Sequence, residues 1–229
     1  MKVVSLVPSA TETLLAWGIT PVACTRFCEQ PNLVHVGGTK DPDIAAIVAI
    51  EPDVVIMDEE ENNRPDAEAL VACGLTVLAL SVRSLAGMPR QLERLAEAVD
   101  FCGALPSLPP VRATTGLPRT RVITLIWKRP WMAIGADTYG STVLDYLGWS
   151  NALPAAPRYP ELSLRQIAEL QPDMVLLATE PYRFADRHVA EISAEMPNAT
   201  VRLVDGQDLF WWGARTPLAL ARLEESLLL

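Results

Sequence analysis

Glu60 and Glu180, with Trp127, Trp131, Tyr159, Tyr182, Trp211, Trp212 and Arg215, are the side chains whose types and placement best meet the demands of a binding site. Flat rings beside guanidinium groups suit a large, partly apolar ligand with anionic or amide edges. Of the fourteen Trp, Tyr and Phe residues, eleven fall between Trp127 and Trp212. Trp131, Tyr159, Tyr182, Phe184, Trp211 and Trp212 read as loop residues, where a core has little use for them, and Arg129 and Arg215 stand nearby in sequence. Their competing role is to plug an interface between lobes. Tyr139, Tyr146 and Trp149 fall in or at the end of a helical pattern and read as core. Glu60 and Glu180 lie eight residues after Pro52 and Pro172, in the acidic run Asp58–Glu61 and its counterpart. Two such carboxylates can hold a cationic ligand, a metal or a partner's arginine, and a solvated rim is the plainer alternative.

Catalytic chemistry has little to draw on. His35 and His188 are the only histidines, so a nucleophile–histidine pair is poorly supplied. There is no Gly-x-Ser-x-Gly elbow, and Gly37-Gly38-Thr39-Lys40 lacks the upstream spacing of a phosphate loop. Cys24 and Cys28 are separated by three residues, and neither Cys73 nor Cys102 completes a tetrahedral metal set with them. Buried free thiols are the expectation, and no catalytic residue, metal ligand or cofactor is assigned. The rival to a pure binder is an intracellular enzyme or carrier acting on such a large, flat ligand, with Glu60 and Glu180 as acid and base.

Charge narrows the partners. The net charge is −9, and residues 1–83 alone carry 5 basic and 12 acidic side chains. No basic stripe is available to neutralise phosphates, so nucleic acid is not expected. No apolar run reaches the roughly 18 residues of a membrane span. The N-terminus enters a strand pattern directly, without an apolar signal region or small-residue cleavage site. The chain as written is therefore expected to be cytoplasmic, or extracytoplasmic if a leader was removed.

The elements that must position these residues are written twice. Residues 43–57 and 163–177 align on Pro52 and Pro172: a short helix capped by Asp43 or Ser163, a Pro-Asp turn, then a buried apolar strand. Strand-like openings at Val3–Val7 and Val122–Ile126 each precede an apolar helix ending at Gly18 or Gly148, and the copies close on strands Thr76–Leu80 and Thr200–Val204. This alternation predicts an α/β fold of two lobes with mostly parallel sheets of similar topology, joined by a single long interlobe helix. The expected divisions are residues 1–83, an interlobe helix within 84–103, and a linker and second lobe over 104–229. Met88, Leu92, Leu95, Val99 and Cys102 give the helix one apolar face, with Ser84 as its cap and Gly103 as its stop. A helix of about 17 residues over 86–102 would be roughly 25 Å long. In parallel sheets ligands meet the loops beyond the carboxyl ends of the strands. Those loops place Ser9, Phe27, Gly38 and Glu60 in the first lobe and Trp127, Trp131, Tyr159, Glu180, Tyr182, Trp211, Trp212 and Arg215 in the second.

Three segments, Val4–Glu12, Val36–Lys40 and Pro52–Val55, together resemble the helical-backbone (class III) substrate-binding proteins of ABC importers for cobalamin, iron siderophores and haem. Ile126–Met132, Tyr159–Ser163, Val204-Asp205-Gly206 and Trp211–Arg215 look most similar to the cobalamin-binding-like branch. The resemblance implies a ligand, cobalamin or another metal chelate, held between two α/β lobes. It also implies an acidic side chain on each lobe that docks on an ABC permease. The family's glutamates do not carry over, because the stretch reads Arg64-Pro65-Asp66, and Asp66 and Asp186, fourteen residues after Pro52 and Pro172, take their place.

Overall fold

Runs of β-branched and aliphatic residues open each half of the chain, and a Pro-Asp pair fixes where each second strand begins. A computed structural model describes residues 1–109 and 119–228, with the side chain of Leu228 excepted. Most of the Pro-rich piece Leu105–Pro118 lies outside the described residues. The chain divides into two compact units, one of residues 1–82, 86–107 and 211–216, the other of 83–85, 108–210 and 217–229.

The first unit runs β1 (Val3–Ser5), α1 (Pro8–Ala16), β2 (Ala23–Cys24), β3 (Val34–His35), α2 (Ile44–Ile50), β4 (Val54–Asp58), α3 (Arg64–Ala72), β5 (Val77–Leu80) and α4 (Met88–Ala98). Its sheet has the order β3-β2-β1-β4-β5, every neighbouring pair parallel. All of β4 is buried, so the sheet is covered on both faces. Val4, Leu6, Ile47, Val55, Met57 and Leu70 form its core.

The second unit runs β6 (Arg121–Trp127), β7 (Trp131–Ala133), α5 (Tyr139–Tyr146), β8 (Ser150–Asn151), β9 (Glu161–Leu162), α6 (Leu164–Glu169), β10 (Met174–Ala178), α7 (Asp186–Glu195), β11 (Thr200–Val204) and α8 (Gly206–Phe210), and α9 spans Thr216–Leu228. Its sheet follows β11-β10-β6-β7-β9, with β8 also on β6. β10 takes one side of β6. On the other side β8 pairs in parallel with its start and β7 antiparallel with its end.

The duplication is physical as well as sequential. Asp43 accepts from the Ala46 N–H (2.9 Å) and Ser163 from the Gln166 N–H (3.2 Å), so both short helices are capped at the same offset. Glu51 and Gln171, each preceding the proline, both hold a left-handed backbone, at φ 52° and 47°. The aspartate that follows explains the motif. Asp53 accepts from the Lys2 N–H at 2.5 Å, and Asp173 from the Arg121 N–H at 2.7 Å. In the same pairs the aspartate N–H donates to the Lys2 or Arg121 carbonyl, each at 2.9 Å. Each Pro-Asp thus clamps the entry of its central strand. Gly18 and Gly148, at φ 77° and 84°, follow α1 and α5 as the sequence requires.

Two expectations change. The helix over 86–102 is shorter: α4 has 11 residues, about 16 Å at 1.5 Å per residue. Pro89 suits only a first turn, so the helix starts at Met88 with Gly87 as cap, and Ser84 stays outside. Asp100 turns left-handed at φ 54°, ending the helix ahead of Gly103. Met88, Leu92 and Leu95 are fully buried, each contributing roughly 1.5–3 kcal/mol, whereas Cys102 is exposed. The second change is the β6–β7 hairpin: Trp131 is a strand residue of β7, where the sequence reads as loop, and β7 in turn pairs with β9.

Candidate functional site

In the first unit the carboxyl ends of the strands are tied together by one amide. Asn62, 6 % exposed, donates to the carbonyls of Leu6 (3.2 Å) and Thr39 (2.9 Å) and accepts from the Asp58 N–H (2.9 Å). It joins the ends of β1 and β4 to the loop before α2. Its only sequence signal was membership of the acidic loop. Asp58, buried at the end of β4, accepts from the Glu60 N–H (2.8 Å) and the Val82 N–H (3.3 Å). Burial pushes its carboxyl up to about 7, against the pull of the Val82 N–H, and the charge of Glu61 adds to the rise.

Around this frame, Phe27 stands on the turn after β2, 50 % exposed, with the Arg26 guanidinium 4.8 Å from its ring centroid. Arg26 also grips Asp41 with Nη2, at 2.9 and 3.0 Å from the two carboxylate oxygens. Gly38 is buried under that pair. A Cβ there would lie 2.3 Å from Asp41 Oδ1 and 2.7 Å from Arg26 Nη2, so its part is to make room. Glu60 is half-buried, and its carbonyl accepts from Lys40 Nζ at 2.8 Å.

Ser9, Trp211, Trp212 and Arg215 come together in this same unit. Trp212 is 4 % exposed and Ser9 5 %, and the Trp212 N–H donates to the Ser9 hydroxyl. Their buried positions make them packing elements, where the sequence reads a loop ring and a loop hydroxyl. Arg215 donates two bonds to Glu12, Nε–Oε2 at 2.7 Å and Nη2–Oε1 at 3.1 Å, and lies 4.8 Å from the Trp211 ring centroid. The anion that its fork holds is therefore Glu12. Trp211 remains partly exposed.

In the second unit the aromatic residues form a chain. Trp127, 40 % exposed at the end of β6, meets Tyr182 edge-on (5.7 Å, 72°). Tyr182 meets Phe184 (4.7 Å), and Phe184 stacks on Trp131 (6.2 Å, 5°). Phe184 is buried, and Trp131 and Tyr182 pack against the core, so only Trp127 presents itself as a largely free ring. Lys128 Nζ lies 5.2 Å from the Trp131 ring centroid and pairs with Glu191. His188, buried against Tyr182 and Phe184, accepts from the Ala185 N–H at 3.0 Å, and burial pulls its basicity down.

Tyr159 is exposed, but the register moves it. Ala133 and Gly135 donate to the carbonyls of Pro160 and Arg158, and Ile134 to that of Thr124, which sets Tyr159 level with the middle of β6 on the sheet's edge. Glu180 is half-buried and accepts from Gln207 Nε2 at 3.1 Å. Asp186 is exposed at the first residue of α7, while Asp66, in the first turn of α3, turns one buried carboxylate oxygen inward without a hydrogen bond. Among the described residues no three His, Cys, Asp or Glu side chains cluster as a metal site, and no helix is long and apolar enough to cross a membrane.

Residues 3–101 match the sequence model of the periplasmic binding protein family. A vitamin B12-binding protein of Pectobacterium carotovorum subsp. carotovorum is 23 % identical over 202 residues, 80 % of this chain and 73 % of that one. Among solved structures, a periplasmic haem-binding protein from Pseudomonas aeruginosa has a TM-score of 0.79 at 22 % identity, covering 98 % of this chain and 91 % of that one. The periplasmic vitamin B12-binding protein of Vibrio cholerae has a TM-score of 0.76 at 19 % identity, covering 98 % and 95 %. The α/β fold with parallel-rich sheets expected from the duplication is that of these proteins. The chain carries the periplasmic binding protein signature over residues 3–101, and over nearly its whole length it has the fold of the periplasmic haem- and vitamin B12-binding proteins.

Proposed function

We propose that the chain is a substrate-binding component of an ABC importer whose ligand is a corrinoid or another tetrapyrrole-like metal chelate, cobalamin first. The observation that carries this reading is Trp127, held edge-on by Tyr182 at the carboxyl end of β6 with 40 % of its surface exposed. An indole left in water where parallel strands present their ligands is spare stacking surface. Phe27 supplies a second exposed ring after β2. The names of the relatives, vitamin B12-binding and haem-binding proteins, favour the same ligand class. Binding without turnover fits two histidines, one of them buried and used as a helix cap.

The test is to mix the protein with cyanocobalamin, haemin or a ferric siderophore, desalt, and record the absorption spectrum. A retained cobalamin or haem band supports the reading, and loss of every chromophore overturns it. Mass spectrometry of the recovered ligand separates binder from enzyme, since a changed mass would mean chemistry. For the importer partner, Asp186 is the better placed docking carboxylate, being exposed, while Asp66 keeps one oxygen buried. Asp186→Lys should weaken association with a permease and leave ligand retention unchanged.

A further inference from the structure

A sheet ends in strands whose outer backbone groups meet no neighbouring strand, and monomers blunt such edges by shortness, charge or proline. β3, β8 and β9 are two residues long. β11 carries Arg202 at its centre, whose Nη1 donates to the Ser226 carbonyl at 3.4 Å. β5 has none of these devices. Its four residues, Val77–Leu80, hold no charge and no proline, and they pair with β4 in unbroken register. Among the described residues no strand lies on its other side.

The register shows what that side offers. The Val55 N–H donates to the Thr76 carbonyl (2.9 Å) and the Glu59 N–H to the Leu80 carbonyl (3.0 Å). Residues 76, 78 and 80 therefore turn their backbone groups toward β4, and Val77 and Ala79 turn theirs away. Ala79 is exposed and Val77 and Leu78 are half-buried, so water reaches this edge.

Beside the edge runs a shallow groove of about 520 Å³ between α3 and β5. Val71, Ala72, Val77 and Ala79 line it, and Val71 is 57 % exposed. Its charged lining residues are one of each sign, Arg64 and Glu68, paired at 2.8 Å. Residues 1–83 carry 5 basic and 12 acidic side chains, so most of this unit repels a copy of itself. The groove does not, being apolar and neutral. A basic partner would find its carboxylate already paired with an arginine, whereas a second copy needs none.

We propose that the β5 edge joins two copies of this chain into a dimer, strand to strand and antiparallel about a twofold axis at Leu78. Val77 then faces the partner's Ala79, and Ala79 the partner's Val77, with N–H and C=O groups exchanged both ways. Every outward group of the strand is satisfied, and the two grooves come side by side on one face of a continuous sheet. A twofold contact closes on itself, so association stops at two copies.

Sedimentation velocity over a range of protein concentrations is expected to show a reversible monomer–dimer equilibrium. Hydrogen exchange of the same samples should slow at the Val77 and Ala79 amides as the dimer forms, while the His35 amide on edge strand β3 is unchanged. Ala79→Lys charges the edge at an exposed position. It should raise the dissociation constant by roughly tenfold or more and leave the unfolding midpoint of the monomer nearly unchanged. A protein monomeric at every concentration overturns the proposal and leaves the edge to a different partner. So does a dimer whose Val77 and Ala79 amides exchange as in the monomer, because its contact lies elsewhere. Association that grows past two copies overturns it as well. The exchange measurement needs no variant to fold, and none of the readouts depends on the identity of the ligand.

Discussion

The backbone N–H of Trp212 donates to the Ser9 hydroxyl at 3.3 Å, a bond between residues 203 positions apart. It is one stitch of a seam. Ala214 N–H donates to Thr13 Oγ1 (3.1 Å), Gly213 N–H reaches Met88 Sδ (3.4 Å), and Arg215 holds Glu12. A short piece near the end of the sequence thereby completes a unit that the beginning of the sequence started.

Gly213 is the most constrained point of the seam. Its φ is +104°, and a Cβ would lie 2.1 Å from Thr13 Oγ1. Gly213→Ala combines strained backbone with overpacking, so it should cost on the order of 2–4 kcal/mol. Urea unfolding measures this, and a loss below 1 kcal/mol would mean that the segment relaxes freely.

Arg215→Ala removes two charged hydrogen bonds to Glu12 and the contact with Trp211. A destabilisation of about 1–3 kcal/mol is expected. A double-mutant cycle with Glu12→Ala should recover coupling of about 0.5–3 kcal/mol, and additive losses would show that the pair does not act as one.

Asp58 gives stability an unusual pH dependence. With its carboxyl raised from 3.8 to about 7, the folded chain binds this proton more tightly than the unfolded chain. Its contribution is therefore greatest below about pH 4 and falls as pH rises toward 7, by up to about 1.4 kcal/mol per pH unit. Asp58→Asn should flatten the profile in that window. Equal slopes for wild type and variant, measured by urea unfolding from pH 4.5 to 7.5, would refute the assignment.

Trp127→Ala and Phe27→Ala should each weaken retention of cobalamin or haem with unfolding midpoints nearly unchanged, because both rings are exposed. Lost stacking worth about 0.5–1.5 kcal/mol corresponds to roughly two- to tenfold in Kd. Titration by absorbance or tryptophan quenching reads it. An unchanged Kd for both variants would place the ligand elsewhere.

The duplicated frame was legible because its signals are local and strong. A capping side chain, a proline and a run of apolar residues recur at one spacing, and in each copy the short helix and the strand after Pro-Asp begin at the same offsets from the proline. The clamp by Asp53 and Asp173 was written in the motif but could be understood only once Lys2 and Arg121 stood opposite. Trp131, Phe184 and Trp212 were misjudged for one shared reason. Each lies in a short stretch between strong elements, and its burial comes from partners far along the chain or in the β6–β7 hairpin, whose tip looked like loop. Phe27 and Trp127 are exposed, since one follows and the other ends a strand whose order in the chain already places it at the carboxyl edge.

The seam also sets a timetable. Synthesis runs from the first residue, so Ser9, Glu12 and Thr13 leave the ribosome long before Trp212 to Arg215 exist. At 5–20 residues per second the 203 residues between Ser9 and Trp212 take roughly 10–40 s to make. Throughout that interval α1 of the first unit still awaits its partners, while most of the second unit is being made. Within the first unit, a helix made early is the one that waits longest for its partners.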